Sequence, residues 1–182
     1  MEFDLVEARA VLQRTPLTLD AFLRGLPATW TTVRDGDGTW SPHEVVAHLI
    51  SSDRTNVIPR ARLILERDSS RTFVPFDRDG FFSEANAMPL ADLLDLFAQV
   101  RGDSLAMLDS WNLGDADLAL TAQHPAFGEV SMRQLLATWV AHDLAHIVQI
   151  SRTMARRYAA DVGPWSAFLS VVQPRTTPAP AA

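Results

Sequence analysis

The chain has 182 residues, 47% hydrophobic and 21% charged, with a formal net charge of -6 and no cysteine. These values fit one globular domain of ~100–200 residues, and the acidic balance without a dense basic run argues against nonspecific nucleic-acid binding. The lack of cysteine excludes disulfides, thiolate metal sites and cysteine nucleophiles.

No apolar run approaches the ~20 residues needed to span a bilayer. The opening MEFDLVEARA lacks the apolar stretch of a signal peptide, so no membrane partner and a cytoplasmic location are expected.

The first predicted helix covers roughly 2–25. Thr15 and Pro16 in its middle read as an N-cap followed by a first helical residue, which predicts two pieces joined by a kink. The second helix opens at Ser41-Pro42-His43-Glu44 and runs to about Arg67. Ser41 and Glu44 have the spacing of a capping box. Pro59 inside it predicts a kink near Thr55 to Pro59.

Residues 68–88 read as a long loop carrying Phe73, Phe76, Phe81 and Phe82, which would cover a pocket or pack at a subunit interface. The third helix runs from about Pro89 to Trp111, with Leu90, Leu93, Leu94, Phe97, Leu105 and Leu108 at helical spacing. A second loop spans 112–130, where LALTAQ and GEV carry a weak hairpin signal.

The fourth helix starts after Ser131, with Gln134 at the capping-box position, and continues to about Ala159. Residues 173–182, ending PRTTPAPAA, read as a disordered tail, leaving 1–172 as the domain. Four long amphipathic helices with little strand signal predict an all-α four-helix bundle with long connecting loops.

The chemistry lies in the histidines. On the fourth helix, Leu135, Trp139, His142, His146, Gln149 and Thr153 share one stripe. Imidazoles at i and i+4 are ~5–6 Å apart at Cβ and can reach one ion. Asp143 stands where a zinc-protease helix has its glutamate, so a metalloprotease is not supported. Asp143 turns toward another face, toward a salt bridge or an interface contact. On the second helix Val45, His48, Leu49, Ser52 and Asn56 form the inward stripe, which adds a third inward imidazole.

His43 falls on a different face and is expected in solvent; His124 lies in a loop. From the residues alone two readings stand open for His48, His142 and His146: hydrogen-bonded core histidines, or a shared metal site.

Around them, Gln149 is a candidate to hydrogen-bond a ligand histidine or a bound water, and Glu44 to orient His48 or serve as general base, with backbone bonding and helix capping as their plainer roles. Asp53 and Arg54 read as an ion-paired surface, and Ser52 and Asn56 as lining of a polar pocket. Trp40 and Trp139 read as core anchors, or as walls of the pocket. Arg60 and Arg62 could pair with acidic loop residues or with an anionic substrate.

WSPHEVVAHLI at 40–50 and WVAHDLAHIVQI at 139–150 together resemble the DinB/YfiT-like superfamily of metal-binding four-helix bundles. The resemblance extends to HPAFGEVSMRQLL and VGPWSAFL and so covers nearly the whole chain. It implies that His48, His142 and His146 are metal ligands. Zinc or nickel would suit three imidazoles, with iron or manganese as alternatives. Three ligands without a fourth protein donor would leave coordination positions open, as in catalytic sites.

The resemblance further implies a metal-dependent enzyme: a thiol S-transferase acting on a low-molecular-weight thiol, or a hydrolase. It names no catalytic residue beyond the ligands. The rivals are a non-enzymatic stress-associated protein with a structural ion, and a metal-free dimer module. A homodimer is also implied, for which Leu5, Val11 and Leu96 would supply apolar contacts.

Overall fold

The computed structural model describes residues 2–77, 80, 82 and 87–174. Its principal elements are α1 (Leu5–Leu23), α2 (Ala28–Thr31), α3 (Pro42–Ser51), a π-helical segment (Ser52–Val57), α4 (Ile58–Leu65), α5 (Leu90–Ser110), α6 (Asp115–Leu118), β1 (Thr121–His124), β2 (Gly128–Ser131) and α7 (Met132–Arg156). Two 3-10 turns follow, Gly163–Phe168 and Ser170–Val172. Helices α1 and α3 each pack against both α5 and α7, which makes the four-helix bundle.

The expected break in the first helix does not occur. α1 is continuous through Pro16. A proline there deprives the Leu12 carbonyl of its usual i+4 donor. Arg101 of α5 replaces that donor, giving Nη1 to Leu12 O at 2.8 Å. Tertiary contact therefore keeps continuous a helix that local sequence would interrupt.

The irregularity expected before Pro59 is real, and its form is the π segment 52–57. The Ile58 N–H reaches back five residues to Asp53 O, and the Thr55 hydroxyl donates to Ser51 O at 2.9 Å. A π turn holds one residue more than an α turn and so re-aims the side chains on it.

The caps at both histidine-bearing helices form as the sequence predicts. The Glu44 N–H donates to Ser41 Oγ at 3.3 Å, and the Ser41 N–H donates to Glu44 Oε2 at 2.8 Å. The Gln134 N–H donates to Ser131 Oγ at 3.2 Å, and the Ser131 N–H to Gln134 Oε1 at 2.8 Å. The weakly signalled hairpin exists, with Thr121 opposite Ser131 and His124 opposite Gly128. Gly128 takes φ 73°, the left-handed turn that closes it. Thr72 bridges to Gln123, so part of the long loop is tied to the hairpin.

Two hydrophobic clusters fill the bundle. One includes Leu12, Val57, Ile64, Leu105, Leu108, Leu136 and Trp139. The other includes Leu19, Val45, Leu49, Phe97, Val100, Ile150 and Met154. Along every long helix the residues between the clusters are polar and buried: Thr15; Ser51, Ser52 and Asp53; Arg101 and Ser104; Asp143 and His146. A polar layer thus crosses the bundle at mid-height.

Leu5, Val11 and Leu96 are half-buried, Leu5 and Leu96 against the chain's own cores, and the large apolar side chains α1 does expose are Val6, Leu17 and Phe22. Of the expected tail, 175–182 lie outside the described residues. Gln173 is held by Arg152, which donates to its carbonyl at 2.8 Å. Among the described residues no helix is long and apolar enough to cross a membrane.

Ser41→Ala removes the side-chain half of the cap on α3. It is expected to lower the free energy of unfolding by ~1 kcal/mol in urea titrations, with the far-UV spectrum unchanged.

Candidate metal centre

His48 on α3 meets His142 and His146 on α7 in the middle of the bundle. Because α3 and α7 pack together, the inward stripes of the two helices face one another. His142 Nε2 lies 3.1 Å from His48 Nε2 and 3.0 Å from His146 Nε2. One ligand atom from each of the three histidines lies within 4.8 Å of the others. Among the described residues no further His, Asp or Glu joins this group.

The donor set suits a cation better than protons. His146 Nδ1 is 2.9 Å from Gln149 Oε1. An amide oxygen only accepts, so the Nδ1–H of His146 donates to it and Nε2 faces the cluster. His142 Nε2 has two ring-nitrogen neighbours, and a single N–H can be directed at only one of them. Three imidazole nitrogens at ~2.0–2.1 Å from a tetrahedral ion would stand roughly 3.3 Å apart. The observed 3.0 and 3.1 Å are close to that value. The three histidines could therefore hold one metal ion.

Aromatic rings wall the cluster. The Trp40 ring centroid is 4.5 Å from that of His48, and the ring stacks on His146 at 6.1 Å. Phe76 approaches His48 at 5.7 Å and Phe82 meets Trp40 edge-on at 5.1 Å. So of the four loop phenylalanines, Phe76 contacts a site histidine and Phe82 packs on the wall. Phe73 is buried in the cluster of Leu12 and Trp139, beneath the Arg60 guanidinium, and Phe81 lies outside the described residues.

The other sequence candidates separate clearly. Gln149 is the candidate whose side chain meets a site histidine, His146. The Glu44 carboxylate accepts from the Ser41 hydroxyl at 2.9 Å and from Arg34 Nε at 3.1 Å, and it pairs with Arg34 Nη2. Burial pushes its pKa up, and the bonds from Ser41 and Arg34 outweigh this, so it lies below the ordinary glutamate value. His43 is half-buried rather than in solvent, with Nε2 3.0 Å from Met88 O. His124 belongs to the hairpin, its Nδ1 accepting from Ala126 N–H at 3.1 Å. Among the described residues, Arg60 reaches Val74 O and Arg62 the Met107 sulfur rather than an acidic loop residue.

Asp53 is not a surface residue. It is 1% exposed and pairs with Arg101, whose Nε donates to Oδ2 at 2.7 Å. Trp139 Nε1 donates to Asp53 Oδ1 at 2.8 Å. Asp143 makes the salt bridge considered for it, to Arg101 Nη1 at 2.6 Å, fully buried. Burial pulls the Arg101 pKa down, but the two carboxylates more than offset it, and the guanidinium stays charged. Burial raises the Asp53 pKa beyond what Arg101 lowers it. Sequence reasoning passed over Arg101. Its signal was a gap in the apolar stripe of the third helix, between Phe97 and Leu105, which Arg101 fills at i+4 from Phe97.

The description of the DinB superfamily matches residues 12–150, a span that contains all three histidines. Among solved structures, YfiT from Bacillus subtilis superposes with a TM-score of 0.71 at 22% sequence identity, over 83% of this chain and 86% of that one. That protein is described as a probable metal-dependent hydrolase with an unusual four-helix bundle topology. No curated protein matches the sequence.

Two outcomes are expected. Gln149→Leu removes the acceptor that orients His146 and lowers zinc affinity roughly ten- to hundredfold in competition titrations. Glu44→Gln has a pH signature. A carboxylate whose folded pKa is depressed contributes stability in full above its unfolded value of ~4.3 and loses it as pH falls through the folded value. The stability gap between wild type and Glu44→Gln is therefore largest at neutral pH and closes in acid, as measured by denaturation at stepped pH.

Proposed function

The chain belongs to the DinB superfamily, and we propose that it is a metal-dependent enzyme whose centre is a divalent ion held by His48, His142 and His146, with hydrolysis as its reaction class. The observation that carries this is the convergence of three Nε2 atoms, with His146 Nδ1 turned to Gln149 Oε1. The hydrolase class is supported by the fold shared with YfiT, itself described as a probable metal-dependent hydrolase. Zinc or nickel suits an all-imidazole set. A divalent ion there supplies Lewis acidity toward a carbonyl or phosphoryl oxygen.

The chain's own residues do the rest. His142 and His146 present their nitrogens from one helix face, one turn apart, and His48 closes the set from the facing helix. Gln149 holds the His146 ring by its Nδ1 proton. Trp40 lies against two of the imidazoles, so water is displaced from that side of the donors. Among the described residues no fourth His, Asp or Glu joins the three, and this supports a catalytic rather than a purely structural ion, since structural sites are typically closed by four such ligands.

Elemental analysis of the untagged protein is expected to find about one divalent ion per chain, lost in His48→Ala and in His142→Ala. Ester, amide and phosphoester substrates are then assayed with and without chelator, and with and without an added thiol. Chelator-sensitive turnover without thiol bears out hydrolysis. Turnover only with thiol replaces it with thiol transfer. A bound ion without turnover, whose removal lowers the melting temperature, leaves a structural role. Failure to bind zinc or nickel ends the reading.

A further inference from the structure

The proposed chemistry makes no use of the largest buried polar group in the protein. Arg101 is 1% exposed, and all five of its N–H donors are engaged. Nε and Nη2 reach Asp53 Oδ2 and Oδ1 at 2.7 and 3.2 Å. Nη1 and Nη2 reach Asp143 Oδ2 and Oδ1 at 2.6 and 3.1 Å. The second Nη1 proton goes to Leu12 O. Such a network is a poor device for stability alone, because well-packed apolar residues often replace buried ion pairs at no loss.

Its attachment points suggest another purpose. Asp143 is the residue after His142, and Trp139, bonded to Asp53, lies one turn before His142. Asp53 follows His48 by five residues, on the π segment. Neighbouring helix positions diverge by ~100°. Asp143 can therefore face Arg101 while His142 faces the other two histidines. Fixing one side chain fixes the rotation of α7 about its axis, and so the aim of the other. A rotation of about 10° moves an atom roughly 6 Å from the axis by ~1 Å, well beyond the ±0.2 Å tolerance of a metal–ligand distance.

We propose that Arg101 is a positioning residue for the histidine centre: by gripping Asp53 and Asp143 together it sets the rotation of α3 and α7 at which His48, His142 and His146 converge. This rests on the metal-site reading above.

The test is titration of the purified chain with cobalt(II), read by the visible d–d bands and by the dissociation constant, below the melting temperature of each protein. Arg101→Met and Asp143→Asn are compared with wild type and with Leu105→Ala, a core variant on α5 that lies outside the network. Asp143→Asn keeps the size of the side chain and one acceptor oxygen, and it decides the question alone where Arg101→Met does not fold.

The expected result is binding at least about tenfold weaker, with d–d bands altered in position or intensity, in the network variants. Leu105→Ala is expected to lose stability and keep the wild-type spectrum. Network variants with wild-type bands and affinity within about twofold overturn the proposal while leaving the metal site standing. The same holds if Leu105→Ala changes the bands as much as they do. A wild type that binds no cobalt overturns both the metal reading and this one.

Discussion

Everything in the middle of this bundle is arranged around one buried cation. Arg101 brings a full positive charge into a layer that water does not reach, at an effective cost of several kcal/mol per ion. That cost is offset only because two carboxylates, one main-chain carbonyl and two aromatic faces surround it. The guanidinium carbon lies 5.0 Å from the Phe97 ring centroid and 4.9 Å from that of Trp139. The partners come from all four long helical segments, so each helix must be in place before the charge is matched. Loosely packed alternatives would leave a charge buried and unpaired, a penalty of ~3–5 kcal/mol. The network thus selects one arrangement among the many that apolar packing would tolerate.

The polar layer also explains why there are two hydrophobic clusters. Above and below it the helices bury Leu, Ile, Val and Phe in the ordinary way, at ~1.5–3 kcal/mol for each fully buried side chain. At mid-height they exchange that gain for groups that can be aimed. The histidine cluster sits at the edge of this layer, with Trp40, Phe76 and Phe82 around it and Arg101 holding the helices behind. A site built on the rigid middle of helices keeps its geometry better than one built on loops.

Much of this was legible from residue order. The capping residues Ser41 and Ser131, the stripe of His142, His146 and Gln149, and the inward place of His48 all follow from spacing and elementary helix geometry. What could not be read was cooperation between distant segments. Thr15-Pro16 looks like a helix restart because local sequence cannot know that Arg101, far along the chain, will take the stranded Leu12 carbonyl. Asp53 looks like surface because a charge is normally exposed, and only its partner on α5 makes burial tolerable. The hairpin at 121–131 was faint for a similar reason: four-residue strands carry little periodicity, and contacts to α4, α7 and Thr72 stabilise it.

The π segment has a further consequence, in the arithmetic of insertions and deletions. A single-residue deletion inside an ordinary helix rotates everything beyond it by ~100° and buries the wrong face. A π turn is in effect an α-helix carrying one surplus residue. Removing one residue from 52–57 would return the segment to α-geometry and leave α3 and α4 each facing its own cluster. The scaffold would survive the change, but a deletion at Ser52 would bring Asp53 one position closer to His48 and turn it out of phase. This stretch is therefore a place where the length of the chain can drift without unfolding the bundle. There the centre would be lost before the fold.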